Sequence, residues 1–138
     1  MKHHFNIIAV LSPDGGQVLL CRRKKPPYQG LLNFVGGKIE PGEDSEAAAY
    51  RELREETGIS PEDIRLTRLM DFVYYVEDSV MEVYFGRLRH PVTLREEVNE
   101  LLWLDADQDY ADAARFAGCG NMGHILSLLR HHGLDGKP

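Results

Sequence analysis

Three glutamates, Glu52, Glu55 and Glu56, stand within five residues of one another in a stretch that reads as helix. At roughly 100° per residue they fall on one narrow face. Three carboxylates so close repel one another, and no argument from helix stability favours such a face. A hard divalent cation does favour it. Magnesium takes oxygen ligands and binds through carboxylates together with the phosphates of a substrate. The chemistry this face could support is therefore a cation held against phosphate oxygens.

The helix that must present these groups can be bounded from local signals. Pro41-Gly42 marks a turn, and Asp44 can cap the helix by accepting a backbone N–H of its first turn. Ala47, Ala48 and Ala49 favour helix, and Gly58 supplies the stop. The expected span is Ser45 to Thr57. Ala49, Tyr50 and Leu53 point to an adjoining face that can pack on a core. Ala47 and Arg54 are left to solvent. Ala48 sits one turn before the glutamates and leaves room beside them.

The full stretch from Gly37 to Ile59 has the spacing G-x5-E-x7-R-E-U-x-E-E-x-G-U, with U an aliphatic residue. It resembles the Nudix box at every specified position, and a chance match at a given register is on the order of one in a billion. Reading it only as a solvated acidic helix leaves Gly37, Glu43 and Gly58 unexplained.

The resemblance implies hydrolysis of a nucleoside diphosphate linked to a further group, with Mg2+ as cofactor and Mn2+ as a substitute. It implies metal ligation by Glu52, Glu55, Glu56 and the Gly36 carbonyl. Glu55 is either a third ligand or the base that takes the proton of the attacking water. Many relatives carry one more glutamate before a strand bearing Trp. Counting back from Trp103, Glu97 is the first choice for that role and Glu100 the second. Glu43 and Arg51 are expected to pair and orient the cluster.

Length and composition set wider bounds. A chain of 138 residues, 43% hydrophobic and 28% charged, suits one domain over residues 1–138. A formal charge of −6 argues against sequence-independent binding of a nucleic-acid polymer. The two cysteines, Cys21 and Cys119, show neither a pairing pattern nor metal spacing, which suits a reducing cytoplasmic setting. The apolar stretch Ile7–Leu11 is too short for a signal segment, and no run approaches membrane-spanning length. The expected partner is a nucleotide, bound by a monomer or a homodimer.

In chain order, Phe5–Leu11 and Gln17–Cys21 read as strands joined by the turn Ser12-Pro13-Asp14-Gly15-Gly16. His3 and His4 read as a ragged terminus rather than as ligands. Arg22-Arg23-Lys24-Lys25 is either a solvated loop or a phosphate clamp, and the planar donor fork of arginine suits phosphate oxygens. The MutT-type branch of the Nudix family places an arginine at the matching strand end, which implies Arg23. Leu31–Val35 reads as a short strand leading into Gly36-Gly37, where backbone can lie close to a ligand. The resemblance brings Lys38 towards the phosphates and Asn33 and Phe34 towards the base. A turn-forming Asn and a core Phe are the structural alternatives.

Ile64–Tyr75 reads as one strand or two bent ones, paired in a hairpin with Met81–Arg89. Ala111–Phe116 reads as a short helical turn. Asn121 opens a helix whose apolar stripe runs through Met122, Ile125, Leu126 and Leu129. Asn121 serves there either as N-cap or, by the MutT-type resemblance, as a reader of the purine.

The order of strands, acidic helix, strands and final helix suits an α/β/α sandwich with a mixed sheet, the Nudix fold. The first functional expectation is a MutT-like pyrophosphatase of purine nucleoside triphosphates, oxidised ones included. Val35 and Leu32 depart from the Pro and Trp common at those places in the family. A dinucleoside polyphosphate hydrolase is the alternative, resting on Tyr75 beyond the box, with a nucleotide-sugar hydrolase less favoured. A nucleotide-sensing domain without catalysis is the contrasting class, but such domains usually lose box glutamates.

Overall fold

The computed structural model describes residues 2–24, 29–96, 99–112, 114–117 and 120–133. The elements in order are β1 (His3–Leu11), β2 (Gln17–Arg22), β3 (Leu32–Phe34), α1 (Ser45–Thr57), β4 (Thr67–Tyr74), β5 (Ser79–Arg87), β6 (Glu100–Asp105) and α2 (Asn121–His131). They form one mixed sheet with neighbours β3-β2-β1-β5-β4, and β6 also pairs with β2. β1 and β5 run parallel and in continuous register from His3↔Ser79 to Leu11↔Arg87, while the other pairs are antiparallel.

The central strands are apolar on both faces because both faces are covered. Ile7, Ala9, Leu11, Val18 and Leu20 pack with Met122, Ile125, Leu126 and Leu129 of α2. Ile8, Val10, Leu19 and Cys21 pack with Ala49 and Leu53 of α1. This is the expected layered arrangement of a mixed sheet with flanking helices.

The acidic helix begins and ends where its signals place it. The Asp44 carboxylate accepts the Ala47 N–H, and Gly58, with φ of 81°, donates its N–H to the Arg54 carbonyl. α2 differs from expectation. Its N-cap is Gly120, in the left-handed region at φ of 93°, and no side chain caps the helix. Asn121 is thus inside the helix and not its cap. The first strand is longer than expected. His3 and His4 belong to β1 because Ser79 and Val80 of β5 pair with them. β4 begins only at Thr67, since Ile64 makes an isolated bridge to Leu88. Among the described residues no helix is long and apolar enough to cross a membrane.

Candidate metal and nucleotide site

The paired glycines lie where backbone runs against backbone. Asn6 exchanges main-chain contact with the loop, its N–H donating to the Gly37 carbonyl at 2.8 Å. Its side-chain oxygen in turn accepts the Gly37 N–H at 2.9 Å. A Cβ at Gly36 would come within 2.2 Å of the Asn6 carbonyl oxygen. A Cβ at Gly37 would lie 2.4 Å from Glu52 Oε2. The second glycine therefore makes room for a carboxylate, and the first makes room for the strand.

Arg51 is the hub of the acidic helix. Its Nε and Nη2 donate to the two oxygens of Glu43 at 2.6 and 2.8 Å. Nη1 donates to Glu52 at 3.0 Å and to Glu55 at 3.1 Å, and Nη2 also reaches the Lys38 carbonyl at 3.1 Å. One guanidinium thus ties the helix to the glycine loop and to the turn before the helix. The expected Glu43–Arg51 pair is present, and it holds the Glu43 carboxyl far below its usual range.

The three glutamates of the face do not share one environment. Glu52 has 14% of its side chain exposed, whereas Glu55 has 58% exposed and leans out to Arg51. Among the described residues, no three His, Cys, Asp or Glu side chains gather closely enough to enclose a metal ion. Glu55 is the most exposed of the three, and its carboxylate is engaged by Arg51. Glu52 and Glu56 lie one helical turn apart, and the charge of Glu52 raises the cost of ionising Glu56. Burial first, and then the charge of Glu52, push the Glu56 carboxyl up to about 7. Burial likewise raises Glu52, against the lowering effect of Arg51. The Gly36 N–H donates to Glu56, yet Glu56 Oε2 is buried without a hydrogen-bond partner among the described residues.

A buried, unpartnered carboxylate oxygen beside a second carboxylate is a poor arrangement for a bare protein and a good one for a cation. The donor set is all oxygen and hard, so it fits Mg2+ better than a soft metal.

Arg23 follows β2 on the α1 side, in line with Leu19 and Cys21. Its charge acts on both Cys21 and Glu56, and its Nε is buried without a partner among the described residues. Burial pushes the Cys21 thiol up to about 12, with Glu56 adding to the shift.

The remaining expected residues divide. Asn33 pairs with Cys21 in register, and its oxygen accepts the N–H of Phe34 at 2.8 Å. Phe34 is 2% exposed in the core on the α2 side, so it fills its structural alternative and offers no open face for stacking. Lys38 is exposed at the glycine loop. Asn121 lies on the α2 side, where its Nδ2 donates to the Tyr74 hydroxyl at 2.6 Å. Glu100 is drawn to Arg22 at 3.3 Å on an open surface. Glu97 lies outside the described residues. Tyr75 is 83% exposed and does not face the glutamates through any described contact.

Sequence reasoning missed two buried polar residues that brace the site. Asn6 and Glu82 are opposite one another in the β1–β5 register, both nearly fully buried. Glu82 accepts from Ser45 Oγ at 3.1 Å and from the Tyr84 hydroxyl at 3.2 Å, and Arg68 approaches it at 3.3 Å. It thereby pins the first turn of α1. The only trace in the sequence was a single polar residue inside each apolar strand.

Known proteins resemble this chain in sequence and in fold. The chain is 32% identical over 104 residues to the oxidized purine nucleoside triphosphate hydrolase of Danio rerio, covering 74% of this chain and 65% of that protein. It therefore spans just under two thirds of that relative's length. The NUDIX domain of Shewanella oneidensis NrtR, solved with ADP ribose, superposes with a TM-score of 0.73 at 18% identity, covering 96% of this chain and 88% of that one. A MutT NUDIX hydrolase from Burkholderia pseudomallei superposes with a TM-score of 0.62 at 28% identity, over 77% and 84% of the two chains. The NUDIX domain family profile matches residues 2–117. With most of the chain inside that match, and with the glutamate helix and glycine loop at its centre, the chain belongs to the Nudix family.

Proposed function

We propose that this chain hydrolyses a phosphoanhydride bond in a nucleoside diphosphate linked to a further group, with Mg2+ as cofactor and Mn2+ able to replace it. The preferred substrate is a purine nucleoside triphosphate, oxidised purines included. The observation that carries the reading is the buried, unpartnered Glu56 Oε2 beside Glu52 and under the Gly36-Gly37 loop. The purine preference draws support from the Danio rerio relative, an oxidized purine nucleoside triphosphate hydrolase, and from the half-buried Asn121.

Glu52, Glu56 and the Gly36 carbonyl would hold the cation. When bound, it offsets the negative charge of the phosphate oxygens and eases deprotonation of water. The residues of the chain supply the rest. Arg23 offers a buried N–H to a phosphate oxygen, and Lys38 adds a mobile positive charge at the glycine loop. Arg51, gripped by Glu43, keeps Glu52 from turning away and fixes the Lys38 carbonyl. Water attacks phosphorus, the bridging P–O bond breaks, and the water proton passes to a carboxylate. Glu55, the exposed member of the trio, is one candidate for that base and Glu97 is the other. Asn33 lines the α1 side near Cys21, where it can meet the sugar.

The test is one panel of oxidised and normal nucleoside triphosphates, dinucleoside polyphosphates and nucleotide sugars, with products separated by chromatography. Nucleoside monophosphate and pyrophosphate from purine triphosphates, formed only with Mg2+, are expected. Preferential cleavage of a dinucleoside polyphosphate moves the substrate to the alternative class. Tight nucleotide binding without turnover makes the domain a sensor.

A further inference from the structure

Asn121 is not isolated on the α2 side. Two half-buried aromatic side chains, Phe72 and Tyr74, and the exposed His124 ring lie on the same side. Phe72 and Tyr74 stack along β4 at 6.5 Å, and Phe72 meets His124, one turn into α2, at 6.4 Å. The strand registers run Tyr74↔Ser79↔His3 and Phe72↔Met81↔Phe5, and Phe5 bridges to Lys38 of the glycine loop. The aromatic wall and the phosphate loop thus share one end of the sheet. A flat apolar base and a charged phosphate tail are the two halves of a nucleotide, and this sheet end offers a surface for each.

A carboxamide on a helix surface turns freely about its terminal torsion, and a freely turning amide presents donor and acceptor in no fixed order. Asn121 is inside α2 without capping it, so the backbone does not engage the amide. Its Nδ2 donates instead to Tyr74, 47 residues away on β4, at 2.6 Å. That bond spends one N–H and holds the amide's remaining N–H and carbonyl oxygen in a set order.

We propose that Tyr74 is a positioning residue for base discrimination: its hydroxyl locks the Asn121 amide so that one donor and one acceptor meet the base edge in fixed order. This rests on the reading of Asn121 as the base reader. Base selectivity is then a property of the Tyr74–Asn121 pair. Tyr75, its neighbour in sequence, has no share in it, because it lies beyond the end of β4, 83% exposed in the turn to β5.

The test is a double-mutant cycle on Tyr74→Phe and Asn121→Ala, which keeps the ring while deleting the hydroxyl. Two readouts are taken: the KM ratio between purine and pyrimidine triphosphates, and calorimetric binding of the corresponding monophosphates. Tyr74→Phe should compress the purine preference by about three- to tenfold, the weight of one hydrogen bond, with kcat unchanged. Asn121→Ala should compress it as much, and the double variant no further. Tyr75→Phe should do nothing. If Tyr74→Phe lowers only the melting temperature, or if its effect adds in full to that of Asn121→Ala, the lock is refuted. Should the wild type bind purine and pyrimidine monophosphates alike, the base-reading role of Asn121 fails and the lock is overturned with it.

Discussion

Arg51 grips Glu43 through two parallel hydrogen bonds, Nε to Oε2 at 2.6 Å and Nη2 to Oε1 at 2.8 Å. The pair joins the turn before α1 to the helix's second turn, and the same guanidinium holds Glu52, Glu55 and the Lys38 carbonyl. Lysine keeps the charge but cannot reproduce the fork. Arg51→Lys should therefore lower kcat/KM by about 10- to 100-fold, the usual cost of losing a residue that orients metal ligands. Thermal denaturation should show a small loss alone, because the pair is partly exposed to solvent.

The two glycines of the loop should fail in different ways. Alanine at Gly36, with φ of 146°, would drive Cβ into the Asn6 backbone, which cannot yield without moving β1. Gly36→Ala should lose several kcal/mol of stability, on the order of 1–3 from the backbone conformation alone. Alanine at Gly37 meets the far end of Glu52, a side chain that can swing aside. Gly37→Ala should fold nearly normally and lose activity through displacement of Glu52. Denaturant titration set beside steady-state kinetics separates the two outcomes.

Glu56 should leave a mark on stability against pH in metal-free protein. Its carboxyl is raised from 4.5 to about 7, so between those values the folded chain binds more protons than the unfolded chain. Stability contributed by the protonated form is present below about pH 4.5 and is lost as pH rises to about 7. The loss from this group is on the order of 1–3 kcal/mol. Subtracting the profile of Glu56→Gln from that of the wild type isolates it. Added Mg2+ should flatten the wild-type slope, since it stabilises the ionised carboxylate.

The acidic helix was legible because its signals are local. Asp44, the alanines and Gly58 act within a turn of themselves, so the span Ser45–Thr57 could be read from spacing, while the Glu43–Arg51 pair was expected from the family resemblance. Features set by distant chain could not. His3 and His4 look like a loose terminus until β5 supplies Ser79 and Val80 as partners. Asn121 looks like an N-cap until Gly120 takes that position with a left-handed backbone. Glu82 carries no local signal that separates it from any other polar residue in a strand. Its burial depends on Ser45 and Arg68 arriving from α1 and β4. Periodicity also placed Phe34 in a short strand but could not say which face would be covered, and α2 covers it.

Glu56 as a cation ligand is tested most directly by initial rate against Mg2+ concentration for wild type and Glu56→Gln, with the melting temperature of each in metal-free buffer. Glutamine keeps the shape, removes the charge, and relieves the repulsion from Glu52. The variant should therefore be at least as stable as the wild type without metal while turning over about a hundredfold more slowly or worse at every Mg2+ concentration. Near-normal Mg2+-dependent turnover by Glu56→Gln would contradict the assignment of the metal site.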